Sequence, residues 1–199
     1  MRMSIRDSAS LRQSVASSSS SSDVRSLSPD VLNLGCGRKL ITGALNLDRS
    51  PDVGADVVHD LDRVPWPLPS SHFREVHAND VIEHLDDVVA AMEEIHRVCR
   101  PGAIVYITVP HFSCANAFTD ISHRHYLGCF SFDLFHPGHE LAFCSRARFR
   151  RRALHLVFFP GLVNKIVRRL ANRYPGVYER HWAWIFPAWF LSVELEALK

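Results

Sequence analysis

The sequence has no CxxC pair, and its five cysteines are an odd number, so neither a zinc ribbon nor a complete disulfide framework can be built from them. Free thiols fit a reducing compartment, and the expected location is the cytoplasm. No apolar run reaches the roughly 18 residues that a spanning helix needs. The most apolar stretch, residues 182–193, is broken by Pro187 and polar neighbours, so an integral membrane protein is not expected. An excess of one charge is also missing. Lys and Arg number 23 against 21 Asp and Glu, a formal net charge of +2, too small to coat nucleic acid. No aromatic and basic platform for RNA or DNA occurs, and no nucleic-acid partner is expected. With 47% hydrophobic and 22% charged residues the usage is that of a globular protein, not a fibrous or wholly disordered one. The 199 residues suffice for one domain with a sizeable core.

Residues 1–29 hold an unbroken serine run from Ser17 to Ser22, scattered arginines and almost no periodic apolar positions. Such a segment cannot offset its ordering entropy and reads as a disordered tail. Richness in Arg and Ser with few acids also describes an organelle transit peptide. From residue 30 the texture is that of a single folded domain, 30–199. Short apolar runs at 31–34, 44–47 and 55–59 end abruptly in Gly or an acid, and 73–78 and 103–109 continue the series as strands. Between the last two, Val88, Val89, Met92, Ile95 and Cys99 recur at helical spacing, with Asp86 and Asp87 at the start and Arg100-Pro101-Gly102 as the stop. Strand, helix and strand in that order form a βαβ crossover, which makes the class α/β with a parallel sheet. Near the end, Trp189, Leu191, Val193 and Leu195 alternate with Ser192, Glu194 and Glu196 in a strand pattern, and 153–159 offers it a hairpin partner.

Polar residues fall directly after these strands: Gly35-Cys36-Gly37, Asp48, Asp60, Asn79 with Asp80, and His111. In an open parallel sheet the carboxyl ends share one edge, where such sheets bind ligands. The two glycines let a ligand approach the backbone, and Asp48 at the next strand end is placed to accept from ribose hydroxyls. A dinucleotide is disfavoured, because the third glycine of the usual fingerprint is absent and Asp48 follows Gly37 by about eleven positions where roughly twenty is usual. The first helix must be short, which costs a pyrophosphate its dipole partner but costs a phosphate-free cofactor little.

The ordered set Leu32-Asn33-Leu34-Gly35-Cys36-Gly37, Asn46-Leu47-Asp48, His59-Asp60-Leu61, Asn79-Asp80-Val81-Ile82-Glu83-His84-Leu85 and Arg97-Val98-Cys99-Arg100-Pro101-Gly102 resembles the successive motifs of class I S-adenosylmethionine-dependent methyltransferases, most of all the type 11 group. The resemblance implies a Rossmann-like seven-stranded, mostly parallel sheet with an antiparallel last strand in a three-layer sandwich. It implies S-adenosylmethionine as cofactor, with Gly35, Cys36 and Gly37 along the methionine moiety, Asp48 at the ribose, Asp60 and Leu61 at the adenine, and Asn79 with Asp80 beside the sulfonium. Asn33 stands where the family usually has an acid and Lys39 where a third glycine is common. Arg38 or Lys39 is available for the methionine carboxylate. The expected activity is methyl transfer to a small-molecule or glycan-type acceptor. A non-catalytic binding module on the same fold and an NAD-dependent oxidoreductase are the rival readings.

Methyl transfer needs alignment and water exclusion more than a metal. A hydroxyl or acidic amine acceptor also needs a base, for which His111, His84, His123 and Asp120 are the candidates, His111 first because it follows the fifth strand. Residues 111–125 contain nitrogen, thiol and carboxylate ligands, but their spacing fits no known metal motif, and no metal is expected. Arg146, Arg148, residues 150–152, Lys165, Arg168, Arg169, Arg173 and Arg180 make the last third basic. On the intervening helix Leu162, Val163, Ile166, Val167 and Leu170 share one face. Three readings follow: a solvated helix packed on the core, a lid for an anionic acceptor such as a phosphorylated or uronic sugar, or a surface that touches anionic lipid.

Overall fold

The structure, a computed structural model, describes residues 29–199; the serine-rich tail expected at 1–29 lies outside the described residues except for Pro29. The elements in chain order are β1 (Val31–Leu34), β2 (Leu45–Asp48), β3 (Val57–Val58), β4 (Phe73–Asn79), α1 (Val88–Val98), β5 (Cys99–Pro110), α2 (Ala115–Thr119), β6 (Phe149–Val157), α3 (Leu162–Arg173), α4 (Pro175–His181) and β7 (Phe190–Ala197). The seven strands form one sheet in the order β3-β2-β1-β4-β5-β7-β6. β7 alone runs against its neighbours β5 and β6, and the other pairs are parallel. The expected sheet, with its last strand antiparallel, is therefore present.

Side chains alternate across the pleat, so each strand offers one row to each face. Leu32, Leu34, Leu47, Val76, Ala78, Val105, Ile107, Leu191, Val193 and Leu195 make one row and are all buried in a single hydrophobic core. α1 closes over it with Ala91, Met92, Ile95 and Val98. The helix starts where Asp87 accepts from Ala90 N at 2.9 Å, a side-chain N-cap. It ends one residue before the expected stop. β5 already begins at Cys99, and Arg100, Pro101 and Gly102 form an exposed bulge, because Phe73 pairs with Cys99 but Glu75 pairs with Ile104.

The opposite row is polar and only partly buried: Glu75, His77, Tyr106, Thr108, Ser192, Glu194 and Glu196. The buried residues of α1, α3 and α4 all join the one core beneath the apolar face. Of the three layers expected, the described residues supply the sheet and one helical face. Two of the connections between parallel strands carry no helix, each for a reason visible in the sequence. Residues 35–44 are too few for the usual crossover between parallel strands, and they turn back at once through Lys39 N to Cys36 O and Ala44 N to Ile41 O. Residues 59–72 carry Pro65, Pro67 and Pro69, which deny a helix its amide donors; Trp66 and Leu68 instead insert directly into the core.

An ionic clamp holds that proline-rich strap to α1. Glu94 accepts from Trp66 N at 2.6 Å and from Arg97 Nε at 2.7 Å, while Arg97 donates onward to Leu68 O and Trp66 O. Burial raises the Glu94 carboxyl, but hydrogen bonds from Arg97 and Trp66 outweigh it and hold the group below its ordinary value. β6 and β7 pair as expected, although the link between them is no hairpin turn: it spans residues 158–189 and contains α3 and α4. No helix of the described residues is long and apolar enough to cross a membrane. Arg97→Ala should lower unfolding free energy by about 3 kcal/mol, because it strands the buried Glu94 carboxylate. Urea denaturation measures this, and a loss below about 1 kcal/mol would show that the clamp contributes no more than a surface pair.

Candidate functional site

The ends of β1, β2, β3 and β4 lie along one sheet edge, and the loops that follow them enclose a recess of 190 Å³. Gly35, Asp48, Asp60, Leu61, Asp80 and His84 line it, together with Arg49, His59, Asp62, Val81, Leu85 and Ser122. Of the other expected cofactor contacts, Gly37 donates its N–H to Asp48 Oδ2 at 2.8 Å, and Cys36 is buried with its N–H on Leu47 O. Asn79 is partly buried at the end of β4 and is not in the wall.

Local geometry accounts for the glycines. Gly35 has φ +56°, and a Cβ there would stand 2.3 Å from Val81 Cγ2, so the loop after β1 passes too close to the loop after β4 for any side chain. At Gly37, φ +48°, a Cβ would meet nothing within 4 Å, which leaves that stretch of backbone open. Below the loop, Asn33 donates to Lys39 O at 3.0 Å and to Asn46 Oδ1 at 2.9 Å. Asn46 in turn receives Ile41 N and donates to Asp56. The Asp56 carboxyl is held low chiefly by the backbone N–H and side chain of Asn46. The residue that departs from the usual acid thus ties down the shortened loop.

Beyond Asp80 and His84, which belong to both walls, lies a second hollow of 600 Å³. Glu83, His123, Asp120, Asn116, Thr119 and Phe190 are in its wall. Residues 120–125 are pinned over it by Arg124 N and His125 N, which both donate to Glu83 O, and by the hydrogen bond from His125 to Leu85 O. Three of the four expected base residues, His84, His123 and Asp120, therefore meet here. His111, the first candidate, does not. It is fully buried, with Nδ1 on Ser113 and Nε2 donating to Glu179 Oε1 at 3.1 Å, a satisfied histidine that joins β5 to α4. Its position just after a strand was a sound pointer to the edge, but the chain turns it inward.

Glu83 belongs to the motif Asn79 to Leu85 but is not among the candidate site residues, since nothing in the local pattern marks it as buried; Ile82, Glu83 and His84 are adjacent in sequence. They form a single 3₁₀ turn, and Glu83 is only 1% exposed. Neither carboxylate oxygen has a hydrogen-bond partner. Burial, with smaller contributions from Asp80 and Asp120, pushes its pKa up to about 7. His123 Nε2 is 4.0 Å from Glu83 Oε1. Since His123 Nδ1 faces the carbonyl of Ala117 at 3.0 Å, that nitrogen must carry the ring's proton, and neutral His123 presents a lone pair at Nε2. Ser122 Oγ donates to Asp120 Oδ1 at 2.6 Å, so His84 Nδ1, 3.0 Å away, must donate to Ser122, and His84 Nε2 is likewise free to accept. Ligand atoms of Glu83, His84 and His123 lie within 4.8 Å of one another, and so do those of His111, Cys129 and Glu179. The second trio is already hydrogen-bonded within itself; the first has the unpartnered carboxylate.

A family profile described as a methyltransferase domain matches residues 15–155. No curated protein sequence matches the chain. Among solved structures, a SAM-dependent methyltransferase from Archaeoglobus fulgidus superposes with a TM-score of 0.58 at 14% identity, covering 83% of this chain and 85% of that one. An S-adenosylmethionine-dependent methyltransferase from Mesorhizobium loti gives 0.50 at 19% identity, covering 83% and 89%. The 4+2 cyclase SpnF gives 0.53 at 17%, covering 84% and 75%. At these identities the likeness is one of fold.

Gly35→Ala should destabilise the protein by about 1 to 3 kcal/mol through overpacking against Val81, and Val81→Ala in the same chain should recover part of the loss. Urea midpoints of the single and double variants check this; strictly additive losses would mean that the two positions do not touch.

Proposed function

The chain belongs to the family of methyltransferase domains, and we propose that it methylates a hydroxyl or amine of a small molecule, a sugar-type acceptor included, held in the hollow at Glu83, His84 and His123. The cofactor is S-adenosylmethionine, and the recess suits it in charge. Asp48, Asp60, Asp62 and Asp80 surround the place of a cationic ligand. Asp80 Oδ1 is buried and without a partner, while Asp80 Oδ2 meets Lys39 Nζ at 3.2 Å. Asp80 and Lys39 would hold the amino and carboxylate groups of the methionine end, and Asp48 the ribose. The recess is smaller than the roughly 300–1,000 Å³ of whole small-ligand sites, so the ligand extends to the wall shared with the second hollow. When bound, the cofactor supplies an electrophilic methyl group, and its transfer to a hydroxyl or ammonium releases one proton.

The single observation that carries the reading is the unpartnered Glu83 carboxyl facing His123. With a pKa near 7 it stands where a general base is most effective at neutral pH. The acceptor proton passes to the Glu83 carboxylate, and His123 Nε2 is next in line to take it. Asp120 and Ser122 hold His84 in the tautomer that accepts at Nε2. Carboxylates in this hollow disfavour an anionic acceptor there, and Lys165, Arg168, Arg169 and Arg173 are not in its wall.

Activity should rise with pH through about 7, as Glu83 ionises. Stability moves the opposite way. A carboxyl whose folded pKa is raised from 4.5 to about 7 binds more protons folded than unfolded, so stability falls as pH rises across that window, by roughly 3 kcal/mol for a shift of this size. Glu83→Gln should lower kcat roughly 100- to 10,000-fold, leave cofactor affinity unchanged and flatten the thermal midpoint between pH 5 and 8. A variant that keeps both activity and pH profile would remove Glu83 from the mechanism. Calorimetric titration with S-adenosylhomocysteine tests the cofactor directly. Asp48→Ala should weaken that binding by about 1.5 to 3 kcal/mol; preferential binding of NAD, or of neither ligand, would return the oxidoreductase or the non-catalytic module.

A further inference from the structure

Val157 pairs with Phe190, so the end of β6 and the start of β7 are adjacent and a tight turn would join them. The chain instead inserts residues 158–189. α3 within this insertion is anchored at its carboxyl end, where Ala171 enters the core and Asn172 takes both Leu156 N and Leu156 O, which occupies free groups of the edge strand. In the preceding turns only Val167 packs against the core. Leu162 is 88% exposed, Ile166 67%, and Val163 and Leu170 are also exposed. The expected apolar face exists, but the core does not cover it. Tyr174 and Trp182, both exposed, share a hollow with Leu170 of the helix, and Phe159, Trp184 and Ile185 of the same insertion are exposed as well.

Charge on the insertion has one sign. Lys165, Arg168, Arg169, Arg173 and Arg180 stand in it, and no ion pair with a described residue neutralises any of them. Its one acid, Glu179, is turned inward to His111 and Cys129 N. The arginines of β6 differ: Arg150 and Arg152 pair with Glu196 and Arg151 with Asp133.

We propose that α3 and the aromatic residues around it dock the protein on an anionic lipid bilayer, the helix lying in the interface plane. A bilayer meets both demands of the surface, an apolar phase for Leu162, Val163 and Ile166 and anionic headgroups for the flanking cations, with indole rings at the level between. A second copy of the chain meets only the first. In a two-fold contact the face opposes itself, and this one would set cations against cations without a carboxylate between them.

The full chain should sediment with phosphatidylcholine vesicles that contain phosphatidylglycerol and stay in solution with phosphatidylcholine alone. Binding should fall steeply toward roughly 0.5 M salt, and tryptophan emission should shift to the blue on binding. Ile166→Glu should reduce vesicle binding at least about tenfold, with an unchanged circular dichroism spectrum and unchanged affinity for S-adenosylhomocysteine as evidence that the domain is intact. Equal binding by Ile166→Glu, or no binding by the native chain, overturns the proposal. So does a native dimer in gel filtration that Ile166→Glu dissociates while vesicles capture nothing, which would make the face a contact between copies. Because cofactor affinity is read separately, loss of lipid binding and failure of the methyltransferase assignment are distinguishable.

Discussion

The hydrogen bond from Asn33 to Asn46 is the contact on which the site edge depends. β1 and β2 are parallel neighbours joined by only residues 35–44, a span in which a full crossover helix has no room. Two amides in the body of the sheet take over the task. They bind Lys39 O, Ile41 N and Ile41 O from beneath and hold the turn flat against the strand ends. Gly37 is thereby brought to Asp48, and Lys39 to Asp80. The cost of burying these amides is met because each finds several partners. The same device leaves the second face of the sheet without its first helix, and that face is accordingly built of Glu, His, Thr and Ser.

Glu83 represents the opposite choice, a buried polar group left without partners. Its backbone is well tied, since its carbonyl receives two N–H groups from the loop above, whereas both side-chain oxygens receive none. Such an arrangement persists only where the rest of the fold supplies the lost stability, and clamps such as Glu94 with Arg97 are the local source. The unpartnered carboxyl and the neighbouring lone pair of His123 form a place for one mobile proton, which a fully hydrogen-bonded pair such as His111 and Glu179 does not.

Much of this was legible in the sequence because strand ends and polar residues coincide. Asp48, Asp60 and Asp80 could be assigned to one edge without coordinates, since parallel strands leave no other arrangement. α1 and β7 were equally readable, each with a strong period and a clear boundary. Sequence pattern failed where burial decides the matter. Periodicity marks an apolar face on α3 but is the same whether that face meets a core or solvent. The position of His111 after a strand is the same whether the ring turns out or in. Three prolines announce that residues 59–72 are not helical, yet nothing in their spacing says that Trp66 and Leu68 fill the space of a helix. Glu83 was hidden because nothing local marks its burial: His123, Arg124 and His125, which meet it, come from a loop distant in sequence.

The insertion and the hollow at Glu83 are joined through the chain around the end of β5. Phe190, where the insertion returns to the sheet, is in the wall of the hollow and pairs with Pro110 at the end of β5. Trp184 packs on Phe112 at 5.4 Å, and Glu179 bonds His111, the residue between Pro110 and Phe112. Three consecutive residues, Pro110 at the end of β5 and His111 and Phe112 beyond it, are thus held by the insertion and the first residue of β7, and the next elements along that chain are α2 and the loop with Asp120 and His123. The contacts that tie the insertion to this segment come from α4 and the residues behind it, Glu179 and Trp184, and α3 packs against α4 and β6. The exposed apolar helix thus stands in the same insertion as Glu179 and Trp184, which fix His111 and Phe112, so the surface of α3 and the wall of the hollow share one stretch of chain.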